Sequence, residues 1–403
     1  MTAVLVSHPH VAAVSAGMAE SLAASGKLAA YFTGVAFSPD SVGGRIAGMV
    51  AARRPVVGNR ILPNVPADRL HGLAPVELAA RLASRALGAR NPRFKLYNAL
   101  FIAHDAAVAR RPWPAETTTI YAYEDGALHT FQRAARQGLA RIWDLPLPHH
   151  RTIETILQEE ARRWPDAPIG PPHREPDWKR QRKDAELALA TTISVASLFT
   201  KRSLEGVATD VPVVIGPYGF PIADFTERPA PPTGKFRVLS VGTHDLRKGT
   251  PYLLEAWRRA ALPDAELHLV GPLRLGKPFL DRYAGLFRHW PHVPKRELAA
   301  RYSAADLLAF PTLGDGFGLV IQEAMCCGTP VMTTPCGGGP ECITDGVDGW
   351  IVPPRDIDAL VARLRACAAD RGGTARLGRA ARARAERWTW RMAVDTLVRD
   401  LGL

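Results

Sequence analysis

Asp315 and Glu323 stand eight positions apart in the stretch FPTLGDGFGLVIQEAMCCGTPVMT, residues 310–333. Between them lies a Gly316-Phe317-Gly318 turn. An apolar run at helical spacing follows, and a Gly-Thr-Pro break leads into another apolar run. The pattern predicts a carboxylate on a loop, backbone N–H groups opening a helix, and a second carboxylate one to two turns inside it. The first N–H groups of a helix lack intrahelical partners and its dipole end is positive, so an exposed start favours anions. Anion-binding amides flanked by hydroxyl-binding carboxylates suit a sugar joined to a phosphate. A buried carboxylate accepting two hydroxyls also discriminates, because a ligand lacking them leaves it unpaired.

Two further constellations could share that chemistry. The loop Val241-Gly242-Thr243-His244-Asp245-Leu246-Arg247-Lys248-Gly249 joins an apolar strand to the helical run PYLLEAWRRA. Ligands in open α/β sheets bind beyond the carboxyl ends of strands. Gly242 lets backbone approach a ligand closely there, and Arg247 and Lys248 supply charge for a diphosphate. A solvated basic turn is the plainer reading. In TIYAYEDGALHTF (119–131), Glu124 and Asp125 end a strand before a helix, facing a cleft. They are candidates for positioning or polarising an acceptor hydroxyl. His8 and His10, after the first strand, could contact acceptor or donor, while His129 sits on a helix. For each histidine an ordinary hydrogen-bonded imidazole is an equal alternative.

The segments of the second half resemble the family 4 glycosyltransferases, whose fold is GT-B. The stretch 310–333 is similar to their E-x7-E signature, with Asp315 in place of the first Glu. FRVLSVGTHDLRKGTPYLLEAW, AELHLVG, AADLLAFPTLGDGFG and CGGGPECITDGVDGWIVPPRDIDAL follow in the family's order across residues 236–385. Ordered segments are far more specific than one short motif. The resemblance implies that Glu323 bonds the nucleotide ribose and Asp315 a donor-sugar hydroxyl. It places the amides of Phe317, Gly318 and Leu319 toward sugar and phosphate, and matches Lys248 to the family lysine. Gly242 and Thr243 line the phosphate loop; Thr243 replaces the usual arginine, for which Arg247 is the expected substitute. The Gly337-Gly338-Gly339 turn resembles one whose amides approach the donor, Gly338 among them, or serves only to turn tightly. The implied activity is retaining, metal-independent transfer from a nucleotide-sugar to an acceptor hydroxyl, in surface polysaccharide or glycolipid assembly. The nucleotide-sugar is a substrate, so no cofactor and no metal is expected. The double glycine usual after the family's first strand is absent from SHPHVAAVSAG.

Apolar strands alternating with amphipathic helices in both halves predict an α/β chain with parallel sheets. Strands are read near 3–7, 29–33, 118–123, 190–195 and 211–215, then at 236–241, 265–270, 306–310, 330–333 and 350–352. Helical patches cover 75–88 and 95–110, broken at Asn91-Pro92. The proline-dense stretch 164–178 reads as loop. This divides the chain into an acceptor-side Rossmann-like domain (1–222), a Pro-rich linker (223–235), a nucleotide-sugar-binding domain (236–385) and a helix crossing back to the first domain (386–403).

The 403 residues suffice for two domains with full cores. No apolar run reaches the roughly 18 residues that span a bilayer, and the N-terminus lacks a basic n-region, so a cytoplasmic location is expected. The five cysteines form no C-x2-C pair and read as reduced, mostly buried thiols. Net charge is +12. Between Arg45 and Arg111, twelve basic residues face only Asp68, Glu77 and Asp105, with Phe94, Tyr97, Phe101 and Trp113 among them. Such a face fits anionic lipid headgroups at the inner membrane surface or a phosphorylated acceptor; an arginine-rich solvated surface is the equal alternative. No motif supports nucleic-acid binding. Two decoys are set aside. GPLRLGKP (271–278) nearly fits a P-loop, but Pro278 replaces the metal-binding hydroxyl, so it reads as a surface loop. Asp356-Ile357-Asp358 matches a metal motif, yet opens a helix and reads as a cap. The rival functions are a nucleotide-sugar epimerase or hydrolase of the same fold, and a non-catalytic carbohydrate-binding or membrane-surface protein.

Overall fold

The computed structural model describes residues 2–51, 60–86, 92–171, 174–207, 210–223, 225 and 234–403. The first sheet comprises β1 (Val4–Ser7), β2 (Leu28–Thr33), β3 (Leu70–Gly72), β4 (Thr119–Tyr123), β5 (Ala140–Leu145), β6 (Thr192–Val195) and β7 (Val213–Ile215). Its order is β3-β2-β1-β4-β5-β6-β7. The second comprises β8 (Phe236–Val241), β9 (Ala265–Val270), β10 (Arg288–Trp290), β11 (Leu307–Phe310), β12 (Val331–Thr333) and β13 (Gly349–Ile351), ordered β10-β9-β8-β11-β12-β13. Neighbouring strands in both sheets are parallel; β1 pairs in register with β4, and β8 with β9. Parallel strands covered by helices on both faces read as continuous apolar runs. The wholly buried β1 (VLVS) and β11 (LLAF) show why. Separate apolar cores lie on the two faces of each sheet.

Three strands escape the sequence pattern. β5 (ARIWDL) starts exposed and carries Asp144, while β3 and β10 are short edge strands with partly exposed residues. The helical patches are observed as Ala74–Ala86 and Pro92–Arg110. Asn91, and residues 224 and 226–233 of the expected linker, lie outside the described residues. Among the described residues no helix is long and apolar enough to cross a membrane. The cysteines are free thiols, all buried except the half-buried Cys336.

Two segments tie the domains together. The helix His150–Arg163 and the turn after it come from the first half of the chain, yet Ile156 and Ala167 are buried in the second domain's core. Tyr252 donates its hydroxyl hydrogen to Glu160 Oε2 at 2.7 Å, and Arg355 Nε donates to Glu160 Oε1 at 2.6 Å. The stretch 271–278 is largely exposed, with Pro272, Arg274, Lys277 and Pro278 at the surface, as the surface-loop reading expects, and the turn after that helix anchors it. Gly276 N donates to the Ala167 carbonyl at 2.7 Å, and Leu275 is buried. At the other end, the helix Trp390–Asp400 leaves the second domain and packs on the helix Ala13–Ala24, burying Val394, Leu397 and Val398 among first-domain side chains. Asp356 caps its helix, accepting the N–H of Ala359 at 2.8 Å.

Candidate active site

β8 ends at Val241, and Gly242 follows with φ at 130°. Asp245 Oδ1 accepts the N–H of Lys248 at 2.9 Å, which tightens the turn before the helix Thr250–Ala260. Arg247 and Lys248 are thereby held beyond the carboxyl ends of β8 and β11. Lys248 Nζ donates to Asp315 Oδ2. Burial lowers the lysine pKa more than Asp315 raises it. Arg247 Nη1 donates to the Gly314 carbonyl at 2.6 Å and lies 3.9 Å from Asp315 Oδ1. It braces the carboxylate loop. Thr243 is half-buried. His244 is buried with Nε2 3.2 Å from the Val270 carbonyl, and burial depresses its pKa to about 4.

Asp315 is itself buried, and its Oδ1 accepts the N–H of Gly316 at 2.9 Å. Gly318 follows with φ at 87°, a left-handed conformation that glycine adopts without a Cβ clash, and the helix Leu319–Cys326 starts after it. Among the described residues no hydrogen bond reaches the N–H groups of Phe317, Gly318 or Leu319, and the Leu319 side chain is exposed. The first amides of this helix are therefore unpaired, while Phe317 and Gly318 themselves are buried. The Phe317 ring is buried 5.0 Å from that of Tyr218. Gly338 acts from behind: its N–H donates to the Phe317 carbonyl at 2.7 Å, and a Cβ there would meet the Phe317 ring at 2.5 Å. Of the two readings of this turn, a donor-approaching amide or a tight turn, the engaged N–H of Gly338 fits the second. Glu323 accepts at Oε2 from the hydroxyl of Tyr302 at 2.7 Å. Burial first, and Glu323 second, keep the Tyr302 phenol well above its ordinary pKa, so it remains a donor that orients the carboxylate. Nothing in the sequence around Tyr302 signalled this.

In the first domain Glu124 directly follows β4 and is buried. Lys183 Nζ lies 3.2 Å from Glu124 Oε1, yet burial outweighs this charge and holds the carboxyl above its ordinary range. Asp125 has φ at 73° and its Oδ2 is 3.0 Å from Lys179 Nζ. Both lysines come from the helix Asp177–Leu189. From the same helix Glu186 accepts the N–H groups of Asp125 at 2.9 Å, Ala127 at 3.1 Å and Leu128 at 3.2 Å, and Trp143 Nε1 at 3.2 Å. Lys179, Lys183 and Glu186 recur every three or four residues, so they share one helix face. That spacing was readable, but charge on a helix face ordinarily means solvent, and here the face is buried.

His8 and His10 stand close to each other. His8 is buried with its ring edge-on to Tyr123 at 4.7 Å and to His10 at 4.8 Å, and Nδ1 is 2.5 Å from the His10 carbonyl oxygen. Burial, aided by His10, takes the His8 pKa to about 3. It is a neutral packed ring, and His104, 3.2 Å from Ser7 Oγ through Nε2, is another. His129 is half-buried, its N–H donating to Asp105 Oδ2 at 2.8 Å.

A cavity of about 530 Å³ lies between Glu124 and the loop that carries Arg247, while Lys248, Asp315 and Glu323 are not among its lining residues. Glu124, His150 and Lys183 line it from the first domain, Arg247 and Arg274 from the second. Arg274 belongs to the stretch read as a surface loop. The carboxylate turn also touches the first domain directly: Ser197 Oγ donates to the Gly316 carbonyl at 2.6 Å. Residues 235–370 match the family model described as glycosyl transferases group 1. The chain is 30% identical over 281 residues to D-inositol 3-phosphate glycosyltransferase of Arthrobacter sp. (strain FB24), covering 64% of this chain and 65% of that protein. It is 38% identical over 131 residues to the protein of the same name from Kribbella flavida, covering 32% of this chain and 30% of that protein. The matches therefore span less than two thirds of either relative. Sucrose-phosphate synthase from Thermosynechococcus elongatus superposes with a TM-score of 0.65 at 20% identity, covering 100% of this chain and 99% of that one. Anabaena HepE in complex with UDP and glucose gives 0.62 at 15% identity, covering 100% and 99%. The fold is GT-B, two facing domains with parallel sheets, and the group 1 segment contains Lys248, Asp315 and Glu323.

Proposed function

We propose that this chain is a glycosyltransferase that moves a sugar from a nucleotide-sugar, held by the second domain, to an acceptor hydroxyl held against the first. The observation that carries the reading is the pairing of Lys248 with Asp315 beside the unpaired amides of Phe317, Gly318 and Leu319, with Glu323 in the helix that they start. A cation and unpaired helix amides stabilise charge that develops on a departing diphosphate. Arg247 adds charge from the same loop, so the reading assigns leaving-group stabilisation to protein groups and no role to a metal. Glu323 is assigned to the ribose and Asp315 to a sugar hydroxyl. Glu124, across the cavity, is assigned to the acceptor hydroxyl. Retention of configuration, with the leaving phosphate taking the acceptor's proton, belongs to the same reading. The neighbour solved with UDP and glucose supports a UDP-sugar as the first donor to try, and the relatives' name supports a polyol or sugar acceptor. The proposed setting is glycolipid or surface-polysaccharide assembly on the cytoplasmic side of a membrane.

The test is a thermal-shift and calorimetric screen of nucleotide-sugars, followed by product analysis with sugar, polyol and lipid-linked acceptors. A nucleotide-sugar that binds and is consumed only when acceptor is present supports transfer. Consumption without acceptor would instead identify a hydrolase or epimerase, and no binding of any donor would identify a non-catalytic protein.

A further inference from the structure

Buried polar atoms are ordinarily hydrogen-bonded, and each exception needs a physical cause. The start of the helix His150–Arg163 carries three such exceptions. His149 and His150 are both buried. His149 is fixed in place by its backbone N–H, which donates to Ser203 Oγ at 2.8 Å. Its ring lies 4.2 Å from that of His150, centroid to centroid. Yet among the described residues neither ring nitrogen of His149 has a hydrogen-bond partner, and Nδ1 of His150 has none. One carboxylate faces both rings. Asp184, on the helix Asp177–Leu189, places Oδ1 3.0 Å from Nε2 of His150 and 3.7 Å from Nε2 of His149. One ligand atom from each of the three residues lies within 4.8 Å of the other two.

We propose that His149, His150 and Asp184 form a binding site for a divalent transition-metal ion of the zinc class. Zinc takes imidazole nitrogen and carboxylate oxygen at about 2.0–2.2 Å, which in a tetrahedron sets neighbouring ligand atoms roughly 3.3–3.5 Å apart. The separations of 3.0 and 3.7 Å bracket that spacing. A bound ion replaces the hydrogen that His150 shares with Asp184 and gives His149 the partner it lacks. Two imidazoles with one carboxylate suit zinc and its neighbours, whereas magnesium and calcium prefer oxygen ligands throughout. The carboxylate is already aimed, because Arg151 Nη2 lies 3.0 Å from Asp184 Oδ2 and leaves Oδ1 toward the rings. Hydrogen bonds of this kind orient metal ligands. Arg151 and Lys183 are the cations that act on His149. Arg151 is exposed, and Lys183 is matched by Glu124 at 3.2 Å and Glu175 at 2.9 Å, so their repulsion of an ion is offset. Three protein ligands leave a fourth position for water or another ligand. The ion would tie the start of the helix His150–Arg163 to the helix that carries Lys183 and Glu186, and His150 lines the cavity beside Glu124. It takes no part in holding a donor diphosphate. Binding alone tests it, so its failure leaves the transfer reading standing.

The experiment titrates zinc chloride, and separately magnesium chloride, into the untagged full chain after treatment with EDTA, followed by calorimetry and thermal shift. Wild type should bind one zinc ion per chain and melt at a higher temperature with it, and magnesium should do neither. Cobalt(II) in the same site should give a visible absorption band. Asp184→Asn keeps the shape of a partly exposed side chain and should weaken zinc binding by about tenfold or more. His149→Phe should abolish the cobalt band, while the metal-free variant still melts cooperatively near wild type because its ring gives up no hydrogen bond. Wild type that binds no zinc would overturn the proposal. So would zinc affinity unchanged in either variant, which would place the ion elsewhere, or magnesium binding as tight as zinc.

Discussion

Burial works against the charge on Lys248, and Asp315 offsets it. On the proposed reading this pair sets a cation beside the turn that carries the amides of Phe317, Gly318 and Leu319, and removing it would take away charge stabilisation of a departing diphosphate. Lys248→Ala is expected to lower kcat/KM at least about tenfold, roughly 1.4 kcal/mol of transition-state stabilisation. Steady-state kinetics with the donor from the screen measures it, and a wild-type rate would remove Lys248 from the mechanism. Glu124 gives a pH signature. Its carboxyl is held above the ordinary value of 4.5 because burial outweighs Lys183. Only the ionised form is a pure acceptor for an alcohol's hydrogen. Activity should therefore fall as pH drops through this elevated pKa, at a pH where an ordinary glutamate is still ionised. Glu124→Gln should flatten that limb of the kcat/KM profile. A limb that survives the substitution would assign the titration to another group.

At the level of elements, most of the second domain was legible because its strands are short unbroken apolar runs and its loops carry segments in a known order. The D-x7-E turn, the Lys248 loop and the Asp356 cap all lie where spacing put them. The first domain was harder. β5 begins with exposed residues and hides Asp144 among apolar ones, so neither alternation nor a clean run marks it. The helix Asp177–Leu189 reads as solvated because Lys179, Arg182, Lys183 and Glu186 are charged, yet all four are buried. Apart from the local Glu175, their partners Asp105, Glu124 and Asp125 are far away in sequence. Only tertiary contact pairs them. Glu186 shows what the helix is for: one carboxylate holds three backbone N–H groups of the turn that presents Glu124. Glu186→Ala strands those donors and the Trp143 indole. It should destabilise the protein by about 3 kcal/mol or more, read as a lower urea midpoint. A cost under about 1 kcal/mol would mean that the turn holds itself.

Across the whole molecule, the last helix decides how firmly the two domains stay together. Trp390–Asp400 is the end of the chain's second half, but its apolar face is part of the first domain's core. The first domain makes room for it with glycine: a Cβ on Gly216 would meet Leu397 Cδ1 at 2.5 Å, and one on Gly17 would meet Trp390 Nε1 at 2.5 Å. Leu397 is 5% exposed, and truncating a buried leucine costs about 2–5 kcal/mol from lost transfer and the cavity left behind. Leu397→Ala should therefore lower the urea midpoint of the transition that reports the first domain, followed by tryptophan fluorescence. The groups proposed to bind donor, between Gly242 and Glu323, lie outside the core cluster that holds Leu397, so donor affinity by calorimetry should stay within about twofold of wild type. Turnover should fall further than affinity, because the acceptor groups reach the donor only while the domains face each other across the cavity. If affinity and turnover fell together, the crossover helix would be shaping the donor site itself, and the separation of the molecule into a donor half and an acceptor half would fail.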